Sequence, residues 1–238
     1  MKLKSKCIAG LAAVMLASVA QAKLIVESID LAMVNTDFNS LALPGVVPDD
    51  AAFMASLFGG FLSAYANPDN IICDLPIDVF DQVSSENTCG GPSRDIGTLF
   101  AISGSADTAA QLQLGLDWGR GGFIALSTGV LAPEITRYDS DIWWNNNWGN
   151  GDVLDFIIPE TSAFLLIGLG FEGCCDGTNS ARWRSLGGSE PSLIGQPLAQ
   201  EPGDWNVLAV NAAAVPVPSA AYLLGIGVLG LSLSRRAR

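Results

Sequence analysis

The residue pattern predicts a mainly β protein: an antiparallel, jelly-roll-like β-sandwich with one short helix. Two observations predict it. From Asp95 onward the chain breaks into about eight apolar or alternating runs, joined by turns every 8–12 residues. No helical period separates those runs, so the β-α-β rhythm of a parallel sheet is missing. The two ends of the chain are read separately as addresses, leaving residues 23–213 as a single domain, ample for one full core.

In chain order, LIVESID after Lys23 opens a first strand reaching Val34. Residues 35–48 carry Pro44-Gly45 and Pro48 and read as a loop. Residues 49–68 read as a helix. Asp49 or Asp50 can cap it, Phe53, Leu57, Phe61 and Tyr65 recur four apart on one face, and Pro68 stops it. Residues 69–95 read as irregular. LFAISGSA (99–106) is a strand, and AQLQLGLDW (110–118) alternates. Leu112, Leu114, Leu116 and Trp118 share one face, and Gln111, Gln113 and Asp117 the other. Gly119–Gly122 turns the chain into FIALSTGVL, followed by EITRYDSDIWW. Residues 145–152 form a polar turn in which Asn150-Gly151 is a strong hairpin dipeptide. VLDFIIP, SAFLLIGLGFE, ARWRSLG and DWNVLAVNA complete the set, with no internal repeat.

The net charge of −12 understates the acidity of the body. Three lysines precede residue 8 and three arginines follow residue 234, leaving six Lys and Arg against all 24 Asp and Glu, a charge of −18. Such a surface repels nucleic acid. It suits salty water, or Ca²⁺ bridging as the one cofactor in prospect. The absence of His removes Ser-His-Asp and Cys-His catalysis and imidazole metal sites. Paired-carboxylate hydrolysis and oxygen-ligand Ca²⁺ sites survive that test.

The N-terminal end has the three parts of a secretory signal peptide, residues 1–22: Lys2, Lys4 and Lys6, then apolar Ile8–Ala20, then Ala20-Gln21-Ala22 as the cleavage site for signal peptidase. Its partners are that peptidase and the secretion machinery. At the other end no charge falls between Asp204 and Arg235. The densest apolar part, 220–233, covers roughly 21 Å as a helix, against about 30 Å of hydrocarbon. Arg235, Arg236 and Arg238 follow and would stay cytoplasmic.

Residues 214–238 place Val215, Pro216, Val217 and Pro218 before the apolar segment and the Arg cluster after it. This order resembles the PEP-CTERM sorting signal, with Val217 where Glu or Leu is commoner and Tyr222 where Trp is frequent. The resemblance implies a Gram-negative, exported protein, held briefly in the inner membrane. An exosortase then removes the tail, and the product reaches the cell surface or the extracellular space. It also implies association with exopolysaccharide and biofilm.

Four cysteines lie beyond the signal peptide: Cys73, Cys89, Cys174 and Cys175. Export favours disulfides. Cys73–Cys89 would close a loop of about 15 residues. It leaves Cys174–Cys175 as a vicinal bridge, a strained and rare form. The two other pairings send Cys174 and Cys175 to Cys73 and Cys89. Cys174-Cys175-Asp176-Gly177 resembles the Cys-Cys-x-Gly group of PEP-CTERM proteins, a likeness that supplies no known activity.

Two places offer a glycan contact. Around the Cys-Cys turn stand Glu172, Asp176 and Trp183; around Asn145–Asn147 stand Trp143, Trp144 and Trp148, with Trp144 and Trp148 taken as contacts. Adjacent Trp residues on a strand point to opposite faces, so only one of Trp143 and Trp144 can be core. Asp139, Asp141 and Asp152 make the second place a Ca²⁺ candidate as well, although no complete EF-hand spacing is present. No catalytic residue and no metal ligand is assigned. The sequence therefore points to an exported, non-enzymatic matrix protein with exopolysaccharide as its candidate ligand. The rivals are a C-terminally anchored membrane protein and a carboxylate-dependent glycoside hydrolase.

Overall fold

The computed structural model describes residues 24–36, 50–129, 134–139, 141–175, 177–186 and 205–211. The signal peptide with Ala20 and Ala22 lies outside them. So do the sorting tail with Val215, Pro216, Val217, Pro218, Arg235, Arg236 and Arg238, and Asp176. Among the described residues no helix is long and apolar enough to cross a membrane.

The elements are β1 (Leu24–Asn35), α1 (Asp50–Tyr65), β2 (Ile71–Pro76), β3 (Ile96–Ala106), β4 (Ala110–Gly115) and β5 (Asp117–Trp118). They continue with β6 (Gly122–Thr128), β7 (Glu134–Asp139), β8 (Ile142–Trp143), β9 (Leu154–Ile158), β10 (Ser162–Glu172), β11 (Ser180–Ser185) and β12 (Asn206–Val207). Every pairing is antiparallel. One sheet has the order β2-β1-β3-β10-β6-β7, a second β12-β11-β4-β9, and a small ribbon pairs β5 with β8. The protein is thus the mainly β, antiparallel sandwich that the sequence predicts.

Period-2 alternation decides which layer each residue joins. On β10, Phe164 and Leu166 face the second sheet, where they meet Leu112, Leu114, Phe156, Ile158 and Ala181 in the main core. The intervening Ile167, Leu169 and Phe171 face the other way, with Leu99, Ala101 and Phe123. That outer face is covered by α1, whose Leu57 and Phe61 are buried against it. Leu57, Phe61 and Tyr65 of the predicted stripe pack on this face, while the side chain of Phe53 lies outside the described residues. Phe61 and Tyr65 stack at 6.0 Å, and Phe58 lies 6.4 Å from Phe123. Tyr65 donates a hydrogen bond to Asp74 of β2, and this bond to the carboxylate is the main reason its hydroxyl pKa is pushed up to about 12.

Two local expectations are corrected. Residues 69–95 are not irregular throughout: they contain β2, an edge strand paired with β1, and a π-helical turn at Ser85–Cys89. The polar stretch before Val153 is not a hairpin either. β8 pairs with β5 and β9 with β4, so residues 144–153 carry the chain from the ribbon to the second sheet. The left-handed residues of that connection are Asn145 and Asn146, at φ 53° and 51°, closed by Asn147 N–H donating to Trp144 O at 3.0 Å. Asn tolerates this region better than most residues. The Asn150-Gly151 dipeptide is used in the next turn, with Asn147 O accepting from Asn150 N–H at 2.9 Å.

Candidate functional site

Three connections meet at one end of the sandwich: residues 117–122, 142–153 and 172–179. The ribbon sets their spacing. In its register Asp117 stands opposite Trp143 and Trp118 opposite Ile142. Trp118 and Ile142 point into the core, so Asp117 and Trp143 share the outward face. Trp143 is 53% exposed, whereas Trp144 is 2% exposed. Trp144 is fixed by its indole N–H, which donates to Thr178 O at 2.7 Å, and by its backbone N–H to Leu116 O at 3.1 Å.

The turn that presents Trp143 is closed by its own polar groups. Asn147 Oδ1 accepts from Gly149 N–H at 3.0 Å and Asn150 Oδ1 from Asp152 N–H at 3.0 Å. Asn150 Nδ2 donates to Trp143 O at 3.1 Å, and Asp152 accepts from Trp143 N–H at 3.4 Å. The strand end is therefore gripped through its backbone while the indole stays about half exposed to water. Thr178 Oγ1 and Asn146 Oδ1, 2.8 Å apart, tie this turn to the Cys-Cys loop.

Glu172 holds that loop. It is buried, and its two carboxylate oxygens accept from Cys174 N–H at 2.9 Å and Gly119 N–H at 3.1 Å. A carboxylate spent on two backbone donors is a structural brace. Asn179 does similar work, accepting from Asp117 N–H at 3.0 Å and donating to Val83 O at 3.1 Å.

Cys73 and Cys89 form a disulfide. Cys174 and Cys175 are free and exposed, which corrects the vicinal bridge and rules out the cross-pairings. Cys175 sits at φ 75°, and the Cys174 thiol is pushed above its ordinary pKa by its hydrogen bond with Cys175. The neighbouring charges of Cys175, Glu172 and Asp117 add to that push. Two free thiols avoid the strained ring that a bond between neighbours would demand.

Other predicted contacts move as well. Trp144 belongs to the core, and its neighbour Trp143 is the surface residue. Trp183 stands opposite Leu112 on the inner face of β11 and packs, partly buried, against the main core. Trp148 is half-buried, 4.7 Å from the Trp144 ring, with the Arg182 guanidinium 4.2 Å over its own ring. Glu172 is withdrawn from ligand contact by its burial and its two backbone bonds. Among the described residues no three His, Cys, Asp or Glu side chains converge on a metal site.

Sequence reasoning put Trp143 in the second patch but took Trp144 as the contact, and it gave no site role to Asp117, Arg182 or Trp205. For Arg182 a cue existed. In SARWRS the alternation sends Ala181 and Trp183 to one face and Arg182 and Arg184 to the other.

No family model and no curated protein matches this chain. Solved structures with a similar arrangement include a PA14 sugar-binding domain from an RTX adhesin. Its TM-score is 0.39 and identity 11%, over 77% of this chain and 95% of that one. Another is the Epithelial Adhesin 9 A domain from Candida glabrata in complex with Galβ1-3GlcNAc. It has TM-score 0.37 and identity 10%, over 68% of this chain and 84% of that one. These are distant likenesses.

Proposed function

We propose that this chain is an exported, non-enzymatic protein of the cell surface or extracellular matrix that binds exopolysaccharide. A signal peptide ending at Ala22 would deliver it, and the PEP-CTERM-like tail would have it sorted by an exosortase. The observation that carries the glycan reading is the exposed indole of Trp143, held on a self-bonded turn with Asp117 on the same face. An indole gives the C–H face of a sugar ring a flat apolar partner. A turn already closed by its own hydrogen bonds loses little freedom on binding. The hydrolase alternative loses support at this end, because Glu172 is committed to two backbone donors.

Affinity electrophoresis in gels containing the producing cell's exopolysaccharide tests the reading. The wild-type body is expected to be retarded. Trp143→Ala should lose most of that retardation while melting at the wild-type temperature, since the side chain is solvent-exposed. Equal retardation of both proteins, or none of the wild type, rejects the site.

A further inference from the structure

The outer face of the second sheet carries an ordered polar layer that the reading above leaves unused. In the β4–β11 register Arg182 stands opposite Gln113 and Arg184 opposite Gln111. Arg182 Nε donates to Gln113 Oε1 at 2.8 Å and Arg184 Nε to Gln111 Oε1 at 2.7 Å. The Nε2 groups of Gln111 and Gln113 both donate to Asp155 Oδ1, at 2.8 and 2.6 Å. Both glutamines are buried, so each arginine is oriented by a fixed partner. Two indoles then clamp Arg182: its guanidinium carbon lies 4.2 Å from the Trp148 ring centroid and 4.1 Å from that of Trp205. Arg184 lies 4.8 Å from the Trp205 ring.

The clamp is incompletely satisfied. Arg182 is only partly buried, and beyond its Nε bond to Gln113 it makes no hydrogen bond or ion pair among the described residues. Its two Nη groups are therefore available as a pair. Burial lowers the pKa of Arg182, Arg184 pushes the same way, and Asp155 offsets part of the effect. An incoming anion would relieve both penalties.

We infer that Arg182, between Trp148 and Trp205, is a subsite for the carboxylate of an acidic sugar. A guanidinium held at Nε and close to two indole rings keeps its planar fork ready for a bidentate carboxylate. The surrounding charge narrows the ligand further. A body of −18 repels a polyanion at long range, while one carboxylate at the clamp meets Arg182 and Arg184 at close range against the carboxylate of Asp155. The ligand is thus a largely neutral glycan with isolated uronate residues rather than a polyuronate. The choice of a sugar rests on the reading of the chain as a glycan binder. The existence of the anion site does not.

The test follows the indole N–H resonances of Trp148 and Trp205 by NMR during titration of the mature protein. The probes are methyl glucuronoside, methyl glucoside and acetate. Methyl glucuronoside should shift both resonances saturably, the glucoside should not, and acetate should need far higher concentration. Arg182→Gln should weaken the glucuronoside response by at least about tenfold, the loss of one charge-assisted bidentate pair. Arg182→Lys keeps the charge without the fork and should also weaken it, which covers the case in which the Gln variant unfolds. Leu62→Ala, at an exposed position on α1 away from both sites, should leave the response unchanged. Equal responses to glucuronoside and glucoside, a response equal with acetate, or wild-type binding by Arg182→Lys would each overturn the inference. If exopolysaccharide retardation persists and still depends on Trp143 while glucuronoside fails, only the carboxylate subsite falls.

Discussion

Gly170→Ala is expected to cost about 3 kcal/mol or more, at the top of the range for overpacked cores. On β10 the inward positions after Leu166 are Gly168 and Gly170, and the missing side chains make room for rings from neighbouring strands. A Cβ at Gly170 would lie 1.8 Å from Trp118 Cδ2, and one at Gly168 would lie 2.3 Å from Phe100 Cζ. Neither ring can yield. Trp118 and Phe100 are fully buried, 6.0 Å apart, and Phe80 packs edge-on to Phe100 at 4.9 Å. Among the described residues Trp118 Nε1 has no hydrogen-bond partner, so packing holds the ring there. For a domain of this size the loss should lower the melting temperature by about 6–12 °C. Gly151→Ala is the control, because a Cβ there meets nothing within 4 Å. A Gly170→Ala protein melting with the wild type would mean that the Trp118 slot is not closed.

Removing the Cys73–Cys89 bridge by a double Cys→Ser change should cost about 3 kcal/mol, the chain-entropy value for a loop of this length. The bridge spans 16 residues and joins the edge strand β2 to the π-helical turn at Ser85–Cys89. Both half-cystines also pack against the main core. Between them the chain contributes little regular structure, so cross-linking removes much freedom from the unfolded state. Chemical denaturation should show a lower midpoint with nearly the same slope. The mature wild type should expose two thiols to a maleimide reagent before reduction and four after. A double variant as stable as wild type, or four reactive thiols in the native protein, would contradict the assignment.

The elements that alternate or run long were legible in the sequence. Ser162–Glu172 and Ala110–Gly115 fall where the pattern places them, and α1 keeps its buried Leu57 and Phe61. β2 was hidden because an edge strand whose residues are only partly buried carries no clear alternation: Ile71, Ile72 and Cys73 are all half-buried. Trp143 and Trp144 illustrate the limit at the site. Period 2 says that one is core, but the choice is made by the β5–β8 register and by the Thr178 carbonyl, 34 residues away. Glu172 looked like a ligand group because carboxylates at turns are common in binding sites, and only its two backbone donors reveal the brace. The Gly168 and Gly170 pair did carry a readable cue, since glycine inside a strand marks close approach of another group. Arg182 shows the opposite case. Its alternation was visible, but its two Trp walls come from positions 148 and 205, on either side of it in sequence, and only the fold brings them together.

The account depends most on export and processing, and the intact mass of the cell-surface protein, taken without reduction, tests this directly. The expected species begins at Lys23, ends near Val215–Ser219, and is two mass units lighter than its fully reduced form, with the bridge mapped to Cys73 and Cys89. A species running from Met1 to Arg238 with every cysteine reduced would contradict it.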